Sequence, residues 1–157
     1  QPLTKNIPQG HPDTAATGTF LAQKHSTLGT LINHEQFGVL CTNNTTMDST
    51  TTRQLNLSPD LPAIAQQGHA FKEMDKSLVS VPVLCDAGCQ VLFGEHKVQV
   101  IRNNKVIIEG DRDAVTNLWL IPLENNNSNL DKQPRSAYIQ IQHTANSAYR
   151  QKSASHL

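Results

Sequence analysis

Apolar and polar positions alternate most regularly between residues 90 and 123. Val91 and Phe93 alternate within Gln90-Val91-Leu92-Phe93-Gly94, Lys97-Val98-Gln99-Val100-Ile101 alternates likewise, and Lys105-Val106-Ile107-Ile108-Glu109 forms a second β-branched run. Asn103-Asn104 separates the last two. Asparagine tolerates positive φ better than other residues with a Cβ, so a two-residue Asn-Asn loop can take the primed turn that matches strand twist. The pattern predicts a β-hairpin. Gly110-Asp111-Arg112-Asp113 then breaks the return strand and Thr116-Asn117 makes a further turn. Leu118 to Leu123 reads as a last strand, with Pro122 placing it at an edge or at its end.

Upstream the pattern is weaker. Phe37, Val39 and Cys41 alternate, Thr42-Asn43-Asn44-Thr45-Thr46 is turn-like, and Met47 to Leu57 is a Thr-rich return strand. A second hairpin is therefore expected over 37–57. Leu57-Ser58-Pro59-Asp60-Leu61-Pro62, with two prolines, predicts a bend or broken edge strand. Leu78, Val81 and Leu84 have helical spacing with Ser77 as a possible cap. Pro82 limits such a helix to one or two turns, and Gly88 is placed to end it in a left-handed conformation. The expected fold is all-β with one short helix.

Residues 1–11 read as a loosely ordered lead-in, 12–123 as the domain, 124–136 as a polar linker rich in Asn, and 137–157 as a tail. The 157 residues suffice for one domain with a sizeable core. The 13 basic and 13 acidic residues cancel. A sequence-independent nucleic-acid binder normally carries a basic excess, so direct nucleic-acid binding is not expected. No apolar run reaches the length of a membrane span and no secretory leader opens the chain, which predicts a cytoplasmic protein without a membrane partner. The start at Gln1 rather than Met reads as a piece of something longer.

Cys41, Cys85 and Cys89 are too few for a tetrahedral zinc site and are expected to be buried free thiols. His25, His34, His69 and His96 are too scattered for a helix-borne metal pair and are expected at the surface or in hydrogen bonds. Neither a metal nor a cofactor is called for. Trp119 is expected in the core, and Arg112 with Asp113 is expected to fix a turn by hydrogen bonds or an ion pair.

Two segments carry a resemblance. Ser77-Leu78-Val79-Ser80-Val81-Pro82-Val83-Leu84-Cys85-Asp86-Ala87-Gly88-Cys89 resembles the Leu-Leu-Ser-Val-x-x-Leu-Cys-Asp-x-Gly-Cys segment of copia-type LTR retrotransposon Pol polyproteins. Gly110-x-Arg112-Asp113-x-x-Thr116-x-Leu118-Trp119-x-x-Pro122-Leu123 is similar to the terminal segment of the same protease-like region. Leu55-x-Leu57, Leu61-Pro62 and His69-Ala70-Phe71 resemble the family's middle. His143-Thr144-Ala145-Asn146-Ser147-Ala148-Tyr149 is similar to the lead into the pre-integrase region.

The resemblance implies a closed β-barrel of retropepsin type and an aspartic endopeptidase that processes its own Gag-Pol polyprotein. The family motif Asp-Ser/Thr-Gly-Ala-Ser/Thr is matched by Asp13-Thr14-Ala15-Ala16-Thr17, which makes Asp13 the catalytic carboxylate and Thr14 and Ala15 its motif loop. The chemistry needs two carboxylates sharing a proton. One chain offers one motif, so the second Asp is expected from a second copy in a homodimer. Thr42, Asn43, Asn44, Thr45 and Thr46 are the expected flap over a polypeptide substrate.

Asp48-Ser49-Thr50-Thr51-Thr52 is a rival match that lacks the motif's Gly and Ala. It lies too few residues after Asp13 for a second lobe, and Asp48 is expected to be a solvated strand or turn residue. The chain departs from the family at Ala15, where the family has Gly, and in the proline-containing stretch Ile7 to Pro12 before the Asp. Two readings stay open: a dimeric protease, or a catalytically inactive structural β module of the polyprotein.

Overall fold

The computed structural model describes residues 6–125. The linker from 126 and the tail expected at 137–157 lie outside them, as do residues 1–5. Twelve strands are described: β1 (Gln9–Asp13), β2 (Thr19–Leu21), β3 (Thr30–Asn33), β4 (Gly38–Leu40), β5 (Thr46–Asp48), β6 (Thr51–Gln54), β7 (Gln67–Ala70), β8 (Ser77–Ser80), β9 (Gln90–Phe93), β10 (Lys97–Arg102), β11 (Lys105–Asp111) and β12 (Ile121–Pro122). One α-helix, α1 (Val81–Asp86), and two short 3-10 turns accompany them. The chain is mostly β with one short helix. Among the described residues no helix is long and apolar enough to cross a membrane.

Seven strands form one sheet in the order β12-β1-β8-β2-β7-β6-β3; β11-β10-β9 form a second, and β4-β5 a separate two-stranded ribbon. No described ladder joins β12 to β3, so the large sheet is open where a closed barrel was expected. Its edge strands are short, and β3 is exposed along its whole length, Leu31 and Ile32 included.

The main core lies between the large sheet and the three-stranded one. Leu21, Leu55, Val79 and Ile121 of the first meet Val98, Val100, Ile107 and Ile108 of the second, with Leu84 of α1 between them. A smaller cluster of Ala16, Phe20 and Phe71 lies to one side. Val39 and Met47 of the ribbon, together with Leu78, close over it.

Most local readings of the C-terminal half hold. Asn103 and Asn104 have φ of 54° and 61°, the primed-turn geometry, between β10 and β11. Gly88 ends α1 at φ +89°. Three readings change. The first is the lead-in, of which Gln9, Gly10 and His11 belong to β1 despite Pro12. A parallel ladder draws its donors from alternate residues, so a proline is tolerated where the N–H would point away from the partner.

The second concerns Ser77 to Ser80, which is strand rather than the start of the helix. The cap is Ser80, whose hydroxyl accepts the N–H of Val83 at 3.1 Å, and Pro82 sits harmlessly in the first turn. The third is the expected return strand after Met47, which divides into β5 and β6. Buried Ser49 turns the chain there by accepting the N–H of Phe37 on Oγ at 2.7 Å.

Candidate functional site

Asp13 is the last residue of β1, and the sheet order explains its setting. β1 pairs parallel with β8 in the register Gly10↔Ser77, His11↔Leu78, Pro12↔Val79 and Asp13↔Ser80. β2, the next strand in sequence, lies on the far side of β8. The loop Thr14 to Gly18 therefore has to straddle the end of β8, where α1 begins.

Hydrogen bonds hold the loop in that position. Ser80 Oγ donates to the carbonyl of Ala16 at 2.6 Å, and Thr19 Oγ1 accepts the N–H of Ser80 at 3.1 Å. Ser80 is fully buried, so each of these bonds is shielded from water. Within the loop, Asp13 Oδ1 accepts the N–H of Ala15 at 2.8 Å. Asp13 is half-buried, Thr14 and Ala15 are exposed, and Ala16 is buried in the small cluster. Among the described residues the Thr14 hydroxyl has no hydrogen-bond partner.

Ala15 is not strained by its own backbone. The described non-glycine residues with positive φ are Asn44, Asn103, Asn104 and Asn117, so position 15 has a conformation open to any L residue. Its methyl group is exposed. The backbone at position 15 does not require glycine within this chain.

The β4–β5 ribbon pairs Gly38↔Asp48, Val39↔Met47 and Leu40↔Thr46. Thr42, Asn43, Asn44, Thr45 and Thr46 are exposed at its tip. Asn44 takes φ 66°, and Asn43 Oδ1 accepts from both the N–H and the hydroxyl of Thr45. These hydrogen bonds run within the tip. The ribbon reaches the Asp13 side through Val39 and Met47, which pack on the cluster containing Ala16 and Leu78. Leu78 is the partner of His11, two residues before Asp13 and therefore on the same face of β1. Asp48, the rival carboxylate, is exposed on β5 opposite Gly38.

The base of the ribbon is held by a contact that sequence reading did not single out. Phe37 stacks on His69 of β7 with ring centres 4.2 Å apart and planes 8° from parallel. His69 Nδ1 bonds Thr52 Oγ1 at 2.9 Å, and burial lowers its pKa, favouring the neutral ring. His25 is bonded to Ser77 at 2.7 Å and also has a lowered pKa, from burial and then from Lys24. His96 is exposed beside Glu95.

The terminal motif is structural. A Cβ on Gly110 would collide with the carbonyl oxygen of Leu120. Arg112 donates to the carbonyls of Asn117 at 2.7 Å and Glu95 at 3.3 Å while its guanidinium lies 4.2 Å from the centre of the Trp119 ring. Asp113 accepts the N–H of Val115 on its carboxylate at 2.8 Å. Arg112 and Asp113 thus fix the turn by separate hydrogen bonds to backbone. Trp119, expected in the core, is half-buried at its margin, with its indole N–H on the carbonyl of Gly94 at 2.8 Å.

The three cysteines are free, but of the burial expected for them only Cys89 has it: Cys85 is exposed and Cys41 half-buried. Burial pushes the Cys89 thiol up to about 11, a group with little thiolate character at neutral pH. Among the described residues no three His, Cys, Asp or Glu side chains converge as metal ligands would. No family model matches the chain, and no curated protein or solved structure matches it.

Proposed function

We propose that this chain is the aspartic-protease-like module of a copia-type polyprotein, acting in the cytoplasm as a homodimer on its own polyprotein. The observation that carries the reading is the setting of Asp13. It ends a strand, its loop straddles the neighbouring strand and is tied down by Ser80, and a ribbon packs over the same side. In this reading the two core-forming sheets are parts of the retropepsin-type barrel, and the ribbon tip from Thr42 to Thr46 is the flap.

Each copy contributes one Asp13. Two carboxylates brought within about 3 Å cannot both ionise, so the pair holds one proton between them. The ionised member takes a proton from water as the water oxygen bonds to the scissile carbonyl carbon. The protonated member gives its proton to the carbonyl oxygen. Collapse of the tetrahedral species breaks the C–N bond, with a proton passing to the leaving amine. Thr14, exposed and without a hydrogen-bond partner among the described residues, is the hydroxyl available to bond the other copy's loop.

The alternative is an inactive structural module, and Ala15 is the observation that favours it. Its exposed methyl group costs nothing within the chain but would meet a second copy brought up to the Asp13 loop. The test is cleavage of a peptide library by the purified chain beside Asp13→Asn. Activity lost in the variant and rising faster than linearly with protein concentration supports a dimeric enzyme. Equal cleavage in both, or none at any concentration, rejects it.

A further inference from the structure

The face of β1 that carries Asp13 also carries His11 and Gln9, and a groove runs along it. Towards the Asp13 end it is a space of about 290 Å³ bordered by His11, Pro12, Lys76, Leu78, Leu118 and Trp119, Pro12 being the residue before Asp13. Further along β1 it continues, sharing His11 and Lys76, into a space of about 420 Å³ bordered by Gln9, Lys24, Ser77 and Leu120. Of the bordering residues Lys24 and Lys76 are basic, and Leu78, Leu118, Trp119 and Leu120 are apolar. Among the described residues no carboxylate borders either space. Both lysines are exposed, and neither has an ion-pair partner among the described residues.

That distribution differs from the chain as a whole, whose acidic and basic residues cancel. Lys97 is answered by Glu109 and Asp111 and Lys105 by Asp60, whereas among the described residues Lys24, Lys76 and Lys72 are not. His11 adds a second irregularity, since its Nδ1 is buried and has no hydrogen-bond partner. A buried ring nitrogen left unpaired is costly enough, at about 1–3 kcal/mol, to be rare without a reason.

We infer that this groove takes an acidic peptide, with an apolar or aromatic side chain against Leu78, Leu118 and Trp119 and a carboxylate facing Lys76 and Lys24. The inference rests on the protease reading and names the class of substrate that such a site would select. The apolar residues give area without direction, whereas the lysines distinguish Glu from Gln or Lys at the flanking position.

The experiment separates binding from cleavage. Asp13→Asn protein is titrated against three labelled peptides that share one Phe-Leu core and carry Glu, Gln or Lys beside it. The Glu peptide should bind roughly three- to tenfold more tightly than the Gln peptide, the range expected for two exposed charge pairs, and the gap should shrink as salt rises. Lys24→Glu/Lys76→Glu should reverse the order so that the Lys peptide binds best, with circular dichroism confirming that the variant is folded. Equal binding of the three peptides, or a Glu preference that survives the reversal, overturns the inference. The protease reading is judged apart from this: cleavage by the unsubstituted chain without any Glu preference counts against the acidic groove alone. A Glu preference without cleavage supports the groove and counts against the enzyme.

Discussion

Ser80 donates its hydroxyl to the carbonyl of Ala16 at 2.6 Å across 64 residues of sequence, and the same oxygen caps α1. One side chain thereby joins the Asp13 loop, the end of β8 and the first turn of the helix. Ser80→Ala removes both bonds at a fully buried site and leaves the Ala16 carbonyl unanswered. A loss of about 1–3 kcal/mol is expected, read as a lower urea midpoint with unchanged slope. Hydrogen exchange should show the 14–18 segment opening more readily than β10 and β11.

Gly110→Ala should be among the most damaging small substitutions in the chain. The added methyl group meets backbone rather than a movable side chain, at Leu120. Either β11 or the strand that follows the Arg112 turn must shift. The expected cost is about 2–4 kcal/mol, measured by thermal or urea unfolding. Gly94→Ala provides the contrast, because its new Cβ would lie 3.5 Å from the nearest atom, an ordinary contact.

The β10–β11 turn and β1 mark the limits of what could be read along the chain. The β10–β11 turn was legible because its cause is local: two asparagines at positive φ between β-branched runs. β1 was not, because Pro8 and Pro12 argue locally against a strand that is imposed by ladders to β8 and β12, more than 60 residues away. The spacing of Leu78, Val81 and Leu84 imitated a helix while spanning a strand and a helix. Asp13 came into view only through a motif. Ser80, His69 and Gln66 act through distant or folded-back partners. The buried Gln66, for example, accepts the N–H groups of Leu57 and Ser58 and donates to Leu61, securing the proline bend.

Asn104→Val should destabilise the β10–β11 hairpin by about 1–2 kcal/mol, since a β-branched residue pays for φ of 61° in full. Asn104→Gly should be close to neutral. Equal effects of the two substitutions in urea unfolding would contradict the primed-turn account.

Acid should loosen the ribbon. The folded state lowers the His69 pKa through burial, so the unfolded chain, titrating near 6.5, binds the proton more readily. The contribution of His69 to stability is complete above about pH 6.5 and is lost as pH falls below it. His25 has the same sign. Urea midpoints from pH 7.5 to 5 should fall for the native sequence and flatten in His69→Gln, and the Phe37 environment should change before β10 and β11 exchange.

Ala15→Gly should leave monomer stability within about 1 kcal/mol, because the residue is exposed and its φ is not left-handed. Any gain should appear instead in self-association, followed by sedimentation, and in peptide cleavage. A gain in monomer stability with no change in association would place the effect of Ala15 inside the chain.

The pairing of β1 with β12 has a consequence for how this domain joins the chain on either side of it. Pro8 accepts the N–H of Leu123 at 2.8 Å, so the two strands that bound the fold meet side by side. Flanking chain enters and leaves at one spot, as the string of a balloon does at its knot. A short bridge across that spot, with new termini opened at the exposed Asn43-Asn44 tip, should give a rearranged chain that still folds.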